Sequence, residues 1–282
     1  MPYGLAVDGK NVYWTNKYGG QVMAVPLGGG APRTIASAQD APYAVAVNAT
    51  GVYWTNFDDP GAVMAASLDG GAVRTIASGL HFPAAIAVDA THVYWTNSGT
   101  LIDGFIDGTV MEAPLDGGAP TMLASDQNAL SSIAVDATNL YWTTDTDPGE
   151  VMTVPLGGGT PTPFEPGLHA VQGLAVVGGR VYWTTLGADG IDGTVASAPA
   201  DGGASMTIAS AQTLVASVAA DADRVYWTIY KTSGTVMSAP LDGGAPTTLA
   251  TGQAYPDGIV VDATSIYWVN QTAGKVMKMT PK

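Results

Sequence analysis

The chain has 282 residues, of which 46% are hydrophobic and only 12% are charged, a composition that excludes an intrinsically disordered protein. Its formal net charge is −14, so we expect no nucleic-acid partner, because phosphate binding needs a basic surface. Cysteine is absent, which excludes disulfides, thiolate metal sites and cysteine nucleophiles, and no apolar stretch is long enough to span a membrane.

Every tryptophan of the chain lies in one recurring three-residue sequence, Tyr-Trp-Thr or Tyr-Trp-Val. Successive copies are 40 to 47 residues apart, as from Trp14 to Trp54 and from Trp95 to Trp142. A period of this size indicates small structural units that stack their apolar faces on one another. The seven copies begin at Tyr13, Tyr53, Tyr94, Tyr141, Tyr182, Tyr226 and Tyr267.

Each unit contains four short runs rich in Val, Ile, Thr, Tyr and Trp, bounded by Gly, Pro, Asp or Asn, which predict four strands A to D. Strand A has small and β-branched residues, as in Leu5-Ala6-Val7, which suit the innermost position of a crowded sheet. The Tyr-Trp pair of strand B is bulky enough to fill the gap between neighbouring sheets. Asp-Ala-Thr between A and B predicts a turn capped by the carboxylate, and Leu-Asp-Gly-Gly between C and D predicts a tight hairpin with positive φ at glycine.

These units predict an all-β protein, a seven-bladed β-propeller with four antiparallel strands per blade, formed by one domain over residues 1–282. The sequence starts at strand A of blade 1 and stops after strand C of blade 7. We therefore expect a three-stranded last blade whose edge is exposed or covered by another molecule. The predicted blades are 1–40, 41–81, 82–128, 129–169, 170–213, 214–254 and 255–282.

The Tyr-Trp-Thr sequence, the preceding Ile-Ala-Val-Asp and the following Leu-Asp-Gly resemble the YWTD propeller repeats of lipoprotein-receptor ectodomains over essentially the whole chain. Two departures are that the residue after the threonine is never Asp, and that the receptor family has six units. The Pro-Tyr-Gly-like blade starts also resemble, more loosely, the seven-bladed virginiamycin B lyase propellers. In that family a histidine follows the proline of a late inner strand, whereas this chain has Asp257, so the lyase chemistry does not carry over.

In a propeller of this kind the B–C and D–A connections share one face, and here they vary while the other turns are uniform. Variable loops on a rigid scaffold are where binding usually resides. We predict that the residues just ahead of the A strands point toward the axis and form a channel mouth suited to a sugar or a small polar ligand. A water-filled channel mouth that binds no ligand is the alternative interpretation. The predicted ligand-binding residues are Tyr3, Tyr43, His81, Ser131, His169, Gln172, Tyr255 and Asp257.

The B–C connections also contain acidic residues. Blades 3 and 5 carry insertions at 101–108 and 188–193, and blade 4 has the sequence Asp145-Thr146-Asp147-Pro148-Gly149-Glu150. Asp-x-Asp spacing can hold calcium through oxygen ligands, so Asp145, Asp147 and Glu150 form a candidate Ca²⁺ site, although no twelve-residue EF-hand pattern occurs. Solvated turn aspartates are the alternative interpretation.

Three functional hypotheses remain. The first is a non-catalytic binding propeller, extracellular, periplasmic or displayed at a bacterial cell surface, that engages a protein or a glycan through the variable face. The second is a propeller lyase or hydrolase with a metal held by carboxylates and His81 or His169 at the same channel mouth. The third is a scaffold that self-associates through the open edge of blade 7. We favour the first, because the sequence has no His-x-x-His, His-Glu-x-x-His or Gly-x-Ser-x-Gly motif.

Overall fold

The computed structural model describes residues 1–99, 101–102 and 105–282, which form a seven-bladed β-propeller with almost no helix. Six blades are sheets of four antiparallel strands, and the last has three, as predicted. Blade 1 contains β1 (Pro2–Val7), β2 (Asn11–Asn16), β3 (Gln21–Pro26) and β4 (Arg33–Ala36), with a 3-10 turn at Lys17–Gly19. Blade 2 contains β5 (Pro42–Val47), β6 (Val52–Asn56), β7 (Gly61–Ala66) and β8 (Arg74–Leu80).

Blade 3 contains β9 (Pro83–Val88), β10 (His92–Asn97), β13 (Gly108–Pro114) and β14 (Thr121–Gln127). The insertion predicted at 101–108 contains a separate two-stranded ladder of β11 (Leu101–Ile102) and β12 (Phe105–Ile106), while residues 100, 103 and 104 lie outside the described part. Blade 4 contains β15 (Leu130–Val135), β16 (Asn139–Thr144), β17 (Gly149–Pro155) and β18 (Thr162–Leu168).

Blade 5 contains β19 (Val171–Val177), β20 (Arg180–Thr185), β21 (Gly193–Pro199) and β22 (Met206–Gln212). Blade 6 contains β23 (Val215–Ala220), β24 (Arg224–Ile229), β25 (Gly234–Pro240) and β26 (Thr247–Gln253). Blade 7 contains β27 (Pro256–Val261), β28 (Ile266–Asn270) and β29 (Lys275–Met279). Within residues 1–99, 101–102 and 105–282, no helix has the length and apolar character needed to cross a bilayer.

The A strands of neighbouring blades contact one another around the ring, and β27 of blade 7 contacts β1 of blade 1. The core lies between the blades, where six of the seven tryptophans pack against the preceding sheet. Trp54 of blade 2, for example, shares one buried cluster with Tyr13, Val22 and Ile35 of blade 1. The bulky strand B pair therefore fills the space between sheets, as its sequence predicts.

Both predicted turn types are confirmed. Asp89 accepts hydrogen bonds from the backbone N–H groups of Thr91 and His92 at 2.6 and 2.7 Å, and its second oxygen accepts the Tyr94 hydroxyl at 2.9 Å. The tyrosine of the repeated sequence thus ties strand B to the A–B turn. In the C–D turn of blade 6, Gly243 and Gly244 have φ of 86° and 149°, a region that favours glycine.

Candidate ligand-binding site at the channel mouth

The A strands surround a cavity of about 510 Å³ at the propeller axis. Five of the eight predicted binding residues line it, and none of the five lies ahead of its strand, where the sequence analysis placed them. Each is the second residue of strand A instead, as Tyr3 is in β1. The five are Tyr3, Tyr43, Ser131, Gln172 and Asp257.

A β-bulge near the start of strand A explains this placement. In blade 1, Pro2 is opposite Asn16 but Leu5 is opposite Trp14, so β1 has one residue more than β2 over this stretch. The same irregularity recurs between Pro256 and Ile259 of blade 7 and in the other five blades. An extra residue bends the strand and changes the direction of its side chains. The prediction missed it because a bulge leaves no periodic signal in so short a strand.

A second ring of residues surrounds the mouth, at the position three residues after each tryptophan. The backbone N–H of each member donates to the carbonyl of the residue just ahead of a strand A, as from Phe57 to Ala41 at 3.0 Å and from Tyr230 to Leu214 at 2.9 Å. The sequence analysis missed this ring as a set, although the fixed distance from tryptophan could have identified it. The members are Lys17, Phe57, Ser98, Asp145, Leu186, Tyr230 and Gln271.

Aromatic side chains form an arc across blades 1 to 3. The ring centroids of Tyr3 and Tyr43 are 4.2 Å apart, those of Tyr43 and Phe57 are 4.8 Å apart and stacked, and those of Phe57 and Phe82 are 5.4 Å apart. Lys17 Nζ lies 4.6 Å from the centroid of Tyr43 and 4.8 Å from that of Phe57, within range for cation–π attraction. Burial lowers the pKa of Lys17. The arc is therefore an apolar surface with one cation over it.

A polar network lies beside the arc. Gln271 Nε2 donates to Asp257 Oδ2 at 2.7 Å, and Tyr230 OH donates to Gln271 Oε1 at 2.9 Å. Tyr43 OH donates to Tyr3 OH at 2.9 Å. Burial raises the pKa of both tyrosines, and the negative charge of Asp257 raises it further. Side chains of blades 1, 2, 6 and 7 thus place hydroxyl, amide and carboxyl groups around one end of the cavity.

Asp257 is the ionisable group at the centre of this network. Asp257 lines the channel, but its carboxyl group is buried away from water. This burial raises the pKa of the Asp257 carboxyl to about 6. The backbone N–H of Gly258 acts in the opposite direction by stabilising the carboxylate. The charge of the mouth therefore changes near pH 6.

Blade 7 departs from the repeat at Val269, and this departure adjoins Asp257. In the other six blades the threonine of the repeated sequence accepts the backbone N–H that follows the channel-facing residue, at 2.8 to 3.2 Å, as from Gly4 to Thr15. Gly258 occupies the corresponding position in blade 7, and Val269 has no hydroxyl. The Gly258 N–H is consequently free to stabilise the Asp257 carboxylate.

Val269→Thr is expected to raise the pKa of Asp257 above about 6, because the new hydroxyl competes for the Gly258 N–H. The measurement is the ¹³C chemical shift of the Asp257 carboxyl as a function of pH. Thr143→Val is the matched control, since it makes the converse exchange in blade 4 beside Ser131 and should leave the Asp257 titration unchanged. An unaltered titration in Val269→Thr would show that the missing hydroxyl does not tune this carboxyl.

The other three predicted binding residues do not line the cavity. His81 Nδ1 is paired with Asp59 Oδ1 at 3.0 Å, and His169 Nδ1 is paired with Asp147 Oδ1 at 2.8 Å. Both histidines thus link the D–A connection that leaves a blade to the B–C connection of the same blade. Tyr255 packs on Tyr230 with centroids 5.1 Å apart and supports the mouth from outside.

The candidate calcium residues occupy different surroundings. Asp145 belongs to the second ring, Asp147 pairs with His169, and Glu150 is the second residue of strand β17. In the part of the chain that the structure describes, no group of three or more His, Cys, Asp or Glu side chains is placed to share a metal ion.

No family model and no curated protein sequence matches this chain. Solved structures do match the chain. The nidogen/laminin complex matches with 21% identity and a TM-score of 0.66 over 89% of this chain and 98% of that one. A streptogramin B lyase matches with 13% identity and a TM-score of 0.78 over 98% and 92%.

The hydrazine synthase of Kuenenia stuttgartiensis matches with 12% identity and a TM-score of 0.77 over 99% of this chain and 95% of that one. Identities this low establish a shared fold and leave function open. The resemblance stated from the sequence is thus confirmed at the level of the fold, and the chain is a seven-bladed β-propeller similar to these proteins.

Proposed function

We propose that the protein is a non-catalytic binding module that engages a glycan through the face carrying the B–C and D–A connections, with one sugar unit at the channel mouth. The observation that carries the proposal is the aromatic arc of Tyr3, Tyr43 and Phe57 beside the polar network of Gln271 and Asp257. Sugars present C–H faces that pack on aromatic rings and hydroxyls that need such polar partners.

The size of the cavity supports this ligand class. Small-molecule sites commonly measure roughly 300 to 1,000 Å³, and the cavity at the axis has about 510 Å³. A glycan ligand also motivates a location outside the cytoplasm, in the periplasm, at the cell surface or in the extracellular space.

The ionisable groups favour binding over catalysis. Among the described residues that line the cavity, Asp257 is the only carboxylate, and the only other ionisable side chains are tyrosines. Glycoside hydrolysis generally uses two carboxyl groups on opposite sides of the scissile bond. A lyase or hydrolase at this mouth is the second candidate function, and the raised pKa of Asp257 is the observation in its favour.

Tyr43→Ala is expected to weaken binding of a glycan selected on an array by about 10- to 30-fold, because it removes the central ring of the arc. Isothermal titration calorimetry gives the dissociation constants. Tyr18→Ala is the matched control, since Tyr18 lies on the same face but is 77% exposed, and its removal should leave affinity unchanged.

Two outcomes would contradict the proposal. One is unchanged affinity in Tyr43→Ala, or an array on which no glycan binds. The other is conversion of the bound glycan by the wild-type protein but not by Asp257→Asn, which would establish the enzymatic alternative.

A further inference from the structure

The outer edge of blade 7 differs from the outer edges of the other six blades. No fourth strand pairs with β29 in the described part of the chain, and a cavity of about 540 Å³ lies beside it, between blade 7 and blade 1. Strands β28 and β29 form one wall, and strands β2 and β3 with the turn that follows them form the other. The lining includes Val12, Trp14, Pro26, Leu27, Tyr267 and Met277.

Trp14 is incompletely covered because of this cavity. It is 9% exposed, whereas the other six tryptophans are 0 to 3% exposed. In four blades the indole Nε1 donates to a glutamine at the end of the preceding blade's strand D or, in blade 1, three residues beyond it, as from Trp268 to Gln253 at 2.9 Å and from Trp54 to Gln39 at 3.1 Å. Trp14 Nε1 has no such partner among the described residues. A fourth strand that ends in glutamine would cover Trp14 and provide the missing acceptor for its Nε1.

The other blades show what occupies this position. Five of the six D strands have an adjacent apolar pair that packs near the tryptophan of the next blade, such as Ile208-Ala209 with Trp227 and Leu249-Ala250 with Trp268, and blade 4 has Phe164 followed by Glu165. The residue before the terminal glutamine or leucine has positive φ in all six strands, for example 67° at Gly252. The common pattern covers six positions, as in Thr248 to Gln253. The first is Thr or Met, the second is Ile or Leu, and the third is Ala. The fourth is Ser or Thr, the fifth is a residue with positive φ, and the sixth is Gln.

A lysine already makes one of the contacts that a D strand makes elsewhere. Arg33 begins strand D of blade 1 and donates to Leu68 O of the next blade at 2.8 Å, and Arg74 donates likewise to Leu115 O. At blade 7 the corresponding carbonyl, Leu27 O, accepts Lys278 Nζ at 2.8 Å. The first position of an added strand therefore needs no cation. The D strands of blades 3 to 6 begin with uncharged residues and are the appropriate templates.

We infer that the open edge of blade 7 binds an extended segment of a partner protein, which adds to β29 as an antiparallel fourth strand and places a glutamine on Trp14. Such a segment gains main-chain hydrogen bonds from the strand edge and specificity from alternate side chains. This surface is separate from the channel mouth, so the inference does not depend on the proposed glycan.

A fluorescein-labelled peptide with the sequence of residues 245–253 is the probe, because it contains the strand D pattern and is uncharged apart from its termini. We expect saturable binding to the intact protein by fluorescence anisotropy. Acrylamide quenching of tryptophan fluorescence should fall as the peptide binds, since Trp14 becomes covered. The Trp14→Phe protein should lose this change in quenching and bind the peptide more weakly.

A peptide with Ala250→Pro is the matched control, because proline removes a backbone donor and disfavours the strand. It should bind at least about tenfold more weakly, whereas a peptide with Gln253→Leu should retain part of the affinity, since leucine occupies this position at Leu80 and Leu168. Absence of binding, or equal binding of the proline peptide, would overturn the inference. Dimers in sedimentation velocity that the peptide dissociates would do the same, because the edge would then serve a second copy of the chain.

Discussion

Asp257→Asn is expected to raise the free energy of unfolding by about 3 kcal/mol at pH 8 and to change it little at pH 4. The pKa of Asp257 is about 6 in the folded protein against an ordinary value of 3.8, and about two pKa units correspond to this energy. The folded state binds the proton more tightly than the unfolded state. The stabilisation from that proton is complete below the unfolded pKa and is lost as pH rises through the folded pKa.

The measurement is urea denaturation followed by circular dichroism at pH 4, 5, 6, 7 and 8. The wild-type protein should lose stability between pH 4 and 6 relative to Asp257→Asn, because asparagine keeps the neutral form and can still accept from Gln271. Asp116→Asn, on an exposed turn of the opposite face, is the control and should follow the wild-type curve. Parallel curves for wild type and Asp257→Asn would refute the raised pKa.

Trp142→Ala is expected to lower the free energy of unfolding by about 3 to 5 kcal/mol, the cost usual for removing a large aromatic side chain from a core. Trp142 is fully buried, packs with Ile133 and Leu140, and donates to Gln127 at 2.9 Å. Its removal leaves a cavity between blades 3 and 4 and an amide without its donor.

Trp14→Ala is the informative comparison for that experiment. Trp14 occupies the same repeat position but borders the open cavity at blade 7, so less covered surface is lost on truncation. We expect its effect to be clearly smaller than that of Trp142→Ala when the denaturation midpoints are compared. Equal losses would mean that the blade 7 edge is as fully packed as the other six positions.

The fold could be predicted from the sequence because each blade repeats the same arrangement of strands and turns. The Tyr-Trp-Thr spacing sets the number of sheets, the capped Asp turn and the glycine hairpin fix their connections, and counting strands predicts the three-stranded blade 7. These features depend on contacts local to one blade or shared identically by neighbouring blades. Sequence periodicity reports such contacts directly.

The candidate site could be predicted from the sequence only in part. Residues placed by the repeat, such as Tyr3, Tyr43 and Asp257, were identified, although the bulge that directs them was not. Lys17 and Gln271 were missed because each is specific to one blade, and only the assembled ring brings them together. His81 and His169 were predicted at the mouth, and each pairs with an aspartate in the B–C connection of its own blade and does not line the cavity.

The closure of the ring between blades 7 and 1 has a consequence for how ligand and stability are coupled. No strand among the described residues is shared across this seam, which is held by side-chain and inner-strand contacts such as Lys278 to Leu27. The proposed glycan mouth lies across the same seam, with Asp257 and Gln271 on one side and Tyr3 on the other. A ligand that contacts both blade 7 and blade 1 would hold these two blades together and slow the opening of the ring between them.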